Sequence, residues 1–206
     1  MQGYATIAAE VTQQSGGKPD ACAYTHVFVP GGVGGLAAGV ASYFWEFHGA
    51  ARPNVIVVEP EQADCLYRSA LAGKPTKAEG SVDSIMAGLA CGEPSPLAWR
   101  ILQPGADAFV TVSDDEAKEA MRVAVARDGR DVPVVVGESG AASLAGLLAL
   151  CRSPALKAQA GLGPDSRVLL ISTEGATAPA IYEQCVGESA TSVLARQAVW
   201  MTGQAA

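Results

Sequence analysis

Charge is scarce in this chain. Only 17% of its 206 residues are Asp, Glu, Lys or Arg, and the net charge is −7. The basic residues are scattered, with no Lys/Arg cluster to follow a phosphate backbone, which excludes a nucleic-acid partner. Histidine occurs only twice, and the five cysteines contain no CxxC pair. Zinc needs a compact set of soft ligands, so no metal site is expected. No uncharged apolar run of roughly 18 residues reads as a membrane span. The nearest, Val27 to Phe44, is broken by proline and glycine. A basic start followed by an apolar core is also missing, so no secretory signal is expected and the cytoplasm is the expected compartment. No G-x-S-x-G elbow is present, and no Lys-Ser/Thr follows the glycines to make a P-loop.

What is present is apolar: 49% hydrophobic residues with 23 glycines. The run HVFVPGGVGGLAAGV, His26 to Val40, joins a short apolar segment to a helical pattern through four closely spaced glycines. Such a bend aims backbone N–H groups at an anion, most often a phosphate. Around it, the pattern predicts a helix over 2–14, a buried strand at 25–29 and a helix over 36–47. Val55 to Val58 is wholly apolar and β-branched, as in a parallel strand covered on both faces. Helices are expected over 62–71, 81–89 (interrupted at Gly88), 97–102, 115–127 (capped by Ser113 or Asp114) and 142–150. Further strands are expected at 108–112, 132–136 and 167–171, and weak helical character after Thr177. This alternation predicts an α/β fold, a three-layer αβα sandwich with a mostly parallel sheet. In such sheets ligands lie beyond the carboxyl ends of the strands. Three unusual stretches fall there: Gly31 to Gly35, Glu138 to Gly140, and Ser172 to Gly175.

Gly32, Val33, Gly34 and Gly35 are the candidate phosphate cup, since glycine tolerates positive φ and presents no Cβ to the anion. A ligand-free turn is the plain alternative. A dinucleotide site also competes: Gly32-x-Gly34 with Ala37 approximates the nucleotide fingerprint, and Glu59 stands where a ribose-binding carboxylate would. Ser172 can hydrogen-bond a ring nitrogen or simply end a strand. Glu138 and Ser139 can line a pocket or cap a helix. His26 and His48 read as structural. Lys18, Lys74, Lys77, Lys118 and Lys157 all fall in loops or on polar faces, without the apolar surround that activates a lysine amine.

Taken together, the stretches MQGYATIAAE, VVEPEQADCLYRSALAGKP, SIMAGLACGEPSPLAWRIL, GESGAASL and LLISTEGAT resemble the diaminopropionate ammonia-lyase family, pyridoxal-phosphate enzymes of the tryptophan-synthase-β-like group. The block Ala87 to Pro96 is the most specific of these matches; related serine and threonine enzymes share the glycine loop and the serine end but not this block. The resemblance implies pyridoxal 5′-phosphate as cofactor, with its phosphate on Gly32 to Gly35 and its pyridine nitrogen facing Ser172, or Thr173 beside it. Glu138 and Ser139 then line the cofactor pocket. It implies a small amino acid substrate, 2,3-diaminopropionate, converted to pyruvate and ammonia, and a homodimer. Cys65 and Cys91 match paired cysteines of relatives, which raises a disulfide between them. The chain corresponds to the C-terminal half of members and begins at an internal methionine. Residues 1–206 are thus expected to be the incomplete large domain of a fold type II enzyme, with the N-terminal part and small domain absent. The Schiff-base lysine and two catalytic aspartates of the family fall before Met1, so no catalytic residue is assigned here. A non-catalytic structural or partner module, or a dinucleotide-binding module, is the alternative expectation.

Overall fold

The computed structural model describes residues 1–203. Four strands form one parallel sheet: β1 (His26–Pro30), β2 (Asn54–Pro60), β3 (Ala108–Val112) and β4 (Val168–Leu170), in the order β3-β2-β1-β4. The helices are α1 (Ala5–Gln14), α2 (Gly35–His48), α3 (Cys65–Ala72), α4 (Pro96–Gly105), α5 (Asp114–Ala124), α6 (Ala142–Arg152), α7 (Pro154–Gln159), α8 (Pro179–Val186) and α9 (Ala190–Gly203).

The two central strands explain the unbroken apolar runs. Side chains alternate faces along a strand, and both faces here are covered. Phe28, Ile56 and Val58 join one core with Ala117, Met121, Ala142 and Tyr182. Val27, Val29, Val55 and Val57 join the other with Ala37, Phe44, Leu66 and Leu102. The αβα sandwich of the sequence reading is thus the observed architecture. No helix of the described residues is long and apolar enough to cross a membrane.

Local chemistry sets the element ends. Ser113, not Asp114, caps α5: its hydroxyl accepts the Glu116 N–H at 3.3 Å, and Glu116 accepts the Ser113 N–H at 2.8 Å. Asp114, Asp115 and Glu116 then sit at the positive end of the helix. Ser113→Ala removes one half of this reciprocal pair and should cost about 1 kcal/mol, read as a lower urea midpoint with an unchanged slope.

Several expectations fail for identifiable reasons. Residues 132–136 form no strand among the described residues; the Val134 N–H goes instead to the Ala124 carbonyl at 2.8 Å. Apolar β-branched sequence makes a strand only where a neighbouring edge receives it. Residues 81–89 do not form an α-helix. Val82 has φ +51°, and the Ser84 hydroxyl and Ile85 N–H are bonded to Asp114, leaving one 3₁₀ turn at Ala87–Leu89. The third predicted helix begins three residues late, at Cys65. Helix α7 was unforeseen, although Ser153-Pro154 is a cap followed by a first-turn proline. The tail holds two full helices, parted by Gly187 at φ +83°.

Candidate functional site

A cavity of about 510 Å³ opens at the carboxyl ends of β1 and β4. The bend after β1 supplies one wall. Gly32 has φ +61° and Gly34 φ +94°, a region closed to most side chains. The Gly31 N–H is bonded to the Val58 carbonyl at 2.8 Å and the Gly34 N–H to the Gly31 carbonyl at 3.1 Å. The N–H groups of Gly32, Val33 and Gly35 have no acceptor among the described residues. Gly35 is also the first residue of the 14-residue helix α2, so the positive end of its dipole reinforces those amides. The Ser95 N–H to Val33 carbonyl bond, 2.9 Å, pins the outside of the bend.

The opposite wall lies on the neighbouring strand. Phe28 pairs with Leu170, so continuing the register brings Ser172 level with Pro30. Ser172, Thr173 and Glu174 all line the cavity. They pack against the segment before α6 so closely that a methyl at Gly140 would meet the Ser172 hydroxyl at 2.9 Å. The Ser139 N–H donates to the Glu174 carboxylate at 2.6 Å, and the Ser139 hydroxyl accepts the Gly88 N–H at 3.0 Å. Ser139 therefore ties the block Ala87 to Pro96 to the serine end. Gly88, Leu89 and Cys91 of that block close the cavity, with Tyr4 and Ile7 of the N-terminal segment.

Of the eight candidate residues, Gly32, Val33, Gly35, Ser139, Ser172 and Thr173 line this one cavity. Gly34 does not; its missing side chain would point back at Leu102, Ala98 and Leu66. Glu138 is not on the wall either. It is 5% exposed, one of its carboxylate oxygens has no partner among the described residues, and it lies on the side of Cys185, whose thiol is pushed up by burial and then by Glu138. The two residues lie in a turn closed by the Ala141 N–H to Gly137 carbonyl bond, 2.9 Å, and Ser139 is the one that lines the cavity. Glu174 and Gly88 escaped the sequence reading, although both stand inside stretches it singled out.

Other expectations sort cleanly. Glu59 is fully buried, and its carboxylate accepts the Leu66 and Tyr67 N–H groups at 2.9 and 2.7 Å, so it is consumed by the start of α3 and cannot reach a ribose. That removes the carboxylate on which the dinucleotide reading depended. Cys65 and Cys91 are not joined: all five cysteines are free, and the Cys65 thiol points to the Gly32 carbonyl and Glu59. Burial, together with Glu59 beside it, holds that thiol far above its ordinary range. His26 is bonded to Thr25 and the Ala160 carbonyl, and His48 stacks on Phe44, both away from the cavity. No lysine lines the cavity, and no metal-holding cluster of His, Cys, Asp or Glu occurs among the described residues.

Comparison with known proteins places the chain in a family. The family described as pyridoxal-phosphate dependent enzyme matches residues 1–174. The chain belongs to that family. Diaminopropionate ammonia-lyase from Escherichia coli (strain K12) is 40% identical over 196 residues, 94% of this chain and 49% of the relative. The Salmonella typhimurium protein of the same name is 42% identical over 192 residues, 90% of this chain and 47% of the relative. The Escherichia coli enzyme solved with an aminoacrylate-PLP azomethine reaction intermediate superposes with a TM-score of 0.79 at 40% identity, covering 89% of this chain and 47% of that one. This chain therefore spans about half the length of the relatives it matches. A pyridoxal-phosphate enzyme has to hold a dianionic phosphate at one end of its cofactor and an aromatic ring at the other.

Proposed function

We propose that residues 1–206 form the cofactor-binding part of a pyridoxal-phosphate ammonia-lyase large domain, of the kind that converts 2,3-diaminopropionate to pyruvate and ammonia. The observation that carries this reading is the set of three unpartnered amides at the start of α2, on Gly32, Val33 and Gly35, which all line the cavity. A dianion there meets N–H dipoles without a side chain in the way. In this reading Gly32, Val33 and Gly35 hold the phosphate and Gly34 fixes the bend. Ser172, with Thr173 as the neighbouring alternative, meets the pyridine nitrogen, and Ser139 orders the wall between them. When bound, the cofactor supplies the electron sink for loss of a proton from the amino acid substrate.

The chain's own residues position and enclose, but they offer no amine. All five lysines stand elsewhere; Lys118, for example, is paired with Asp115 at 2.9 Å on α5, and Lys77 with Glu93. The covalent attachment and the proton transfers are therefore assigned to chain that the longer relatives carry beyond this span.

The test has two arms. Pyridoxal 5′-phosphate should raise the melting temperature of the chain, while pyridoxal, lacking the phosphate, should not; equal effects would refute the loop assignment. With 2,3-diaminopropionate added, no pyruvate should form, and borohydride reduction should label no single lysine. Pyruvate release with one labelled peptide would overturn the assignment of the chemistry to other chain.

A further inference from the structure

Glu59 raises a question that neither the sheet nor the cavity answers. A carboxyl group ends β2 with none of its surface in water, where an apolar residue would complete the core at far smaller desolvation cost. It lies directly behind the glycine bend: a methyl at Gly31 would sit 2.5 Å from the Glu59 Cγ. Its oxygens accept the Leu66 and Tyr67 N–H groups of α3, and the Cys65 thiol at 3.7 Å. That thiol also lies 3.5 Å from the Gly32 carbonyl. One side chain thus joins the end of β2, the first turn of α3 and the back of the bend whose front carries the free amides.

The charges around it are few. At the start of α3 the titratable neighbours are the N-cap Asp64 and Cys65, and Asp64 is held by Arg68 at 2.7 Å. Arg68 also reaches Glu79 at 3.0 Å. From the block that closes the cavity, Cys91 faces Cys65. On β3 the register partner is Thr111, and the β1 end and the bend itself bring only Pro30, glycines and Val33. Among the described residues no cation pairs with Glu59.

Accepting the bend as the phosphate site, we propose that Glu59 is its positioning residue, holding the bend on α3, and that capture of a dianion is coupled to uptake of a proton by the Glu59 carboxyl. An ionised carboxylate behind the bend opposes a dianion in front of it, across protein that screens poorly. A neutral carboxyl does not. Linkage then requires each ligand, proton and dianion, to favour the other by the same factor. Burial drives the Glu59 carboxyl up to about 7, so this proton exchanges in the neutral range.

Sulfate is the suitable probe, because it keeps its charge across that range. Calorimetric titration of the full chain in two buffers of different ionisation heat should show net proton uptake per sulfate bound, largest near pH 7 and fading at pH 5 and 9. Affinity should fall about five- to tenfold between pH 6 and pH 8. Glu59→Gln should abolish the uptake and flatten the affinity profile. If that variant fails to fold, the wild-type uptake profile decides alone. Sulfate binding with no proton uptake, or uptake that persists in Glu59→Gln, overturns the coupling and leaves the phosphate site standing. No sulfate or pyridoxal 5′-phosphate binding at any pH removes the phosphate site and the coupling with it.

Discussion

Gly34→Ala should lose about 3 kcal/mol of stability and with it the binding of pyridoxal 5′-phosphate. Two costs add. At φ +94° an L side chain is strained, and the new methyl would meet Leu102 Cδ1 at 3.0 Å, Ala98 Cβ at 3.1 Å and Leu66 Cδ2 at 3.3 Å. Those atoms belong to α3 and α4, which grip the bend from behind, so relief on one side tightens the other. For a chain of this length the loss corresponds to a melting temperature lower by roughly 6–12 °C. Gly32→Ala is the internal comparison. Its φ is +61°, but its nearest neighbour is 3.7 Å away. Only strain remains, about 1 kcal/mol. Equal losses for the two variants in urea titrations would mean that packing behind the bend does not hold it.

The second large effect is a slope of stability with pH. The Glu59 carboxyl titrates near its ordinary 4.5 when the chain is unfolded and at about 7 when folded. Between those values the folded state binds more protons than the unfolded state. The contribution of this group is therefore fully present below about pH 4.5 and is lost as pH rises toward and through 7. The loss is on the order of 3 kcal/mol. Native carboxylates with lowered values act in the opposite sense, so the total curve is a sum; the difference between wild type and Glu59→Gln isolates this one. The wild-type urea midpoint should fall relative to that of Glu59→Gln as pH rises through 5, 6, 7 and 8. A constant difference across the four values would show that Glu59 keeps the same protonation state in the folded and unfolded chain.

The sequence was most legible where burial is complete. Val55 to Val58 sits between two helical layers, and nothing but a doubly covered strand accommodates four such residues. The glycine bend was legible for a similar reason: few backbones other than a strand-to-helix turn use four glycines in five positions. Residues 132–136 look just as strand-like, yet strand formation depends on an edge that local sequence does not describe. Over 81–89 the apolar spacing suited a helix, but Asp114 on another element claims the backbone at Ile85 and the hydroxyl of Ser84. Within the site, Ser172 and Gly32 announced themselves by type and place. Glu174 gained its position from the Ser139 N–H, 35 residues away in sequence. Glu138 carried the chemistry that a reader looks for, and the turn of the chain gave the cavity to Ser139 instead. Sequence patterns report which face is apolar, and much less which of two adjacent polar residues faces inward.

The two walls of the cavity stand on unequal foundations. The bend grows from β1, which is hydrogen-bonded on both sides, whereas Ser172 and Thr173 follow β4, three residues long at the margin of the sheet. In the proposed assignment, a ligand spanning them is clamped at one end and steered at the other. Substitutions around the marginal strand would then re-aim an aromatic ring while the grip on its anionic tail is unchanged. Such a division lets one scaffold accommodate different chemistries by altering only its softer side.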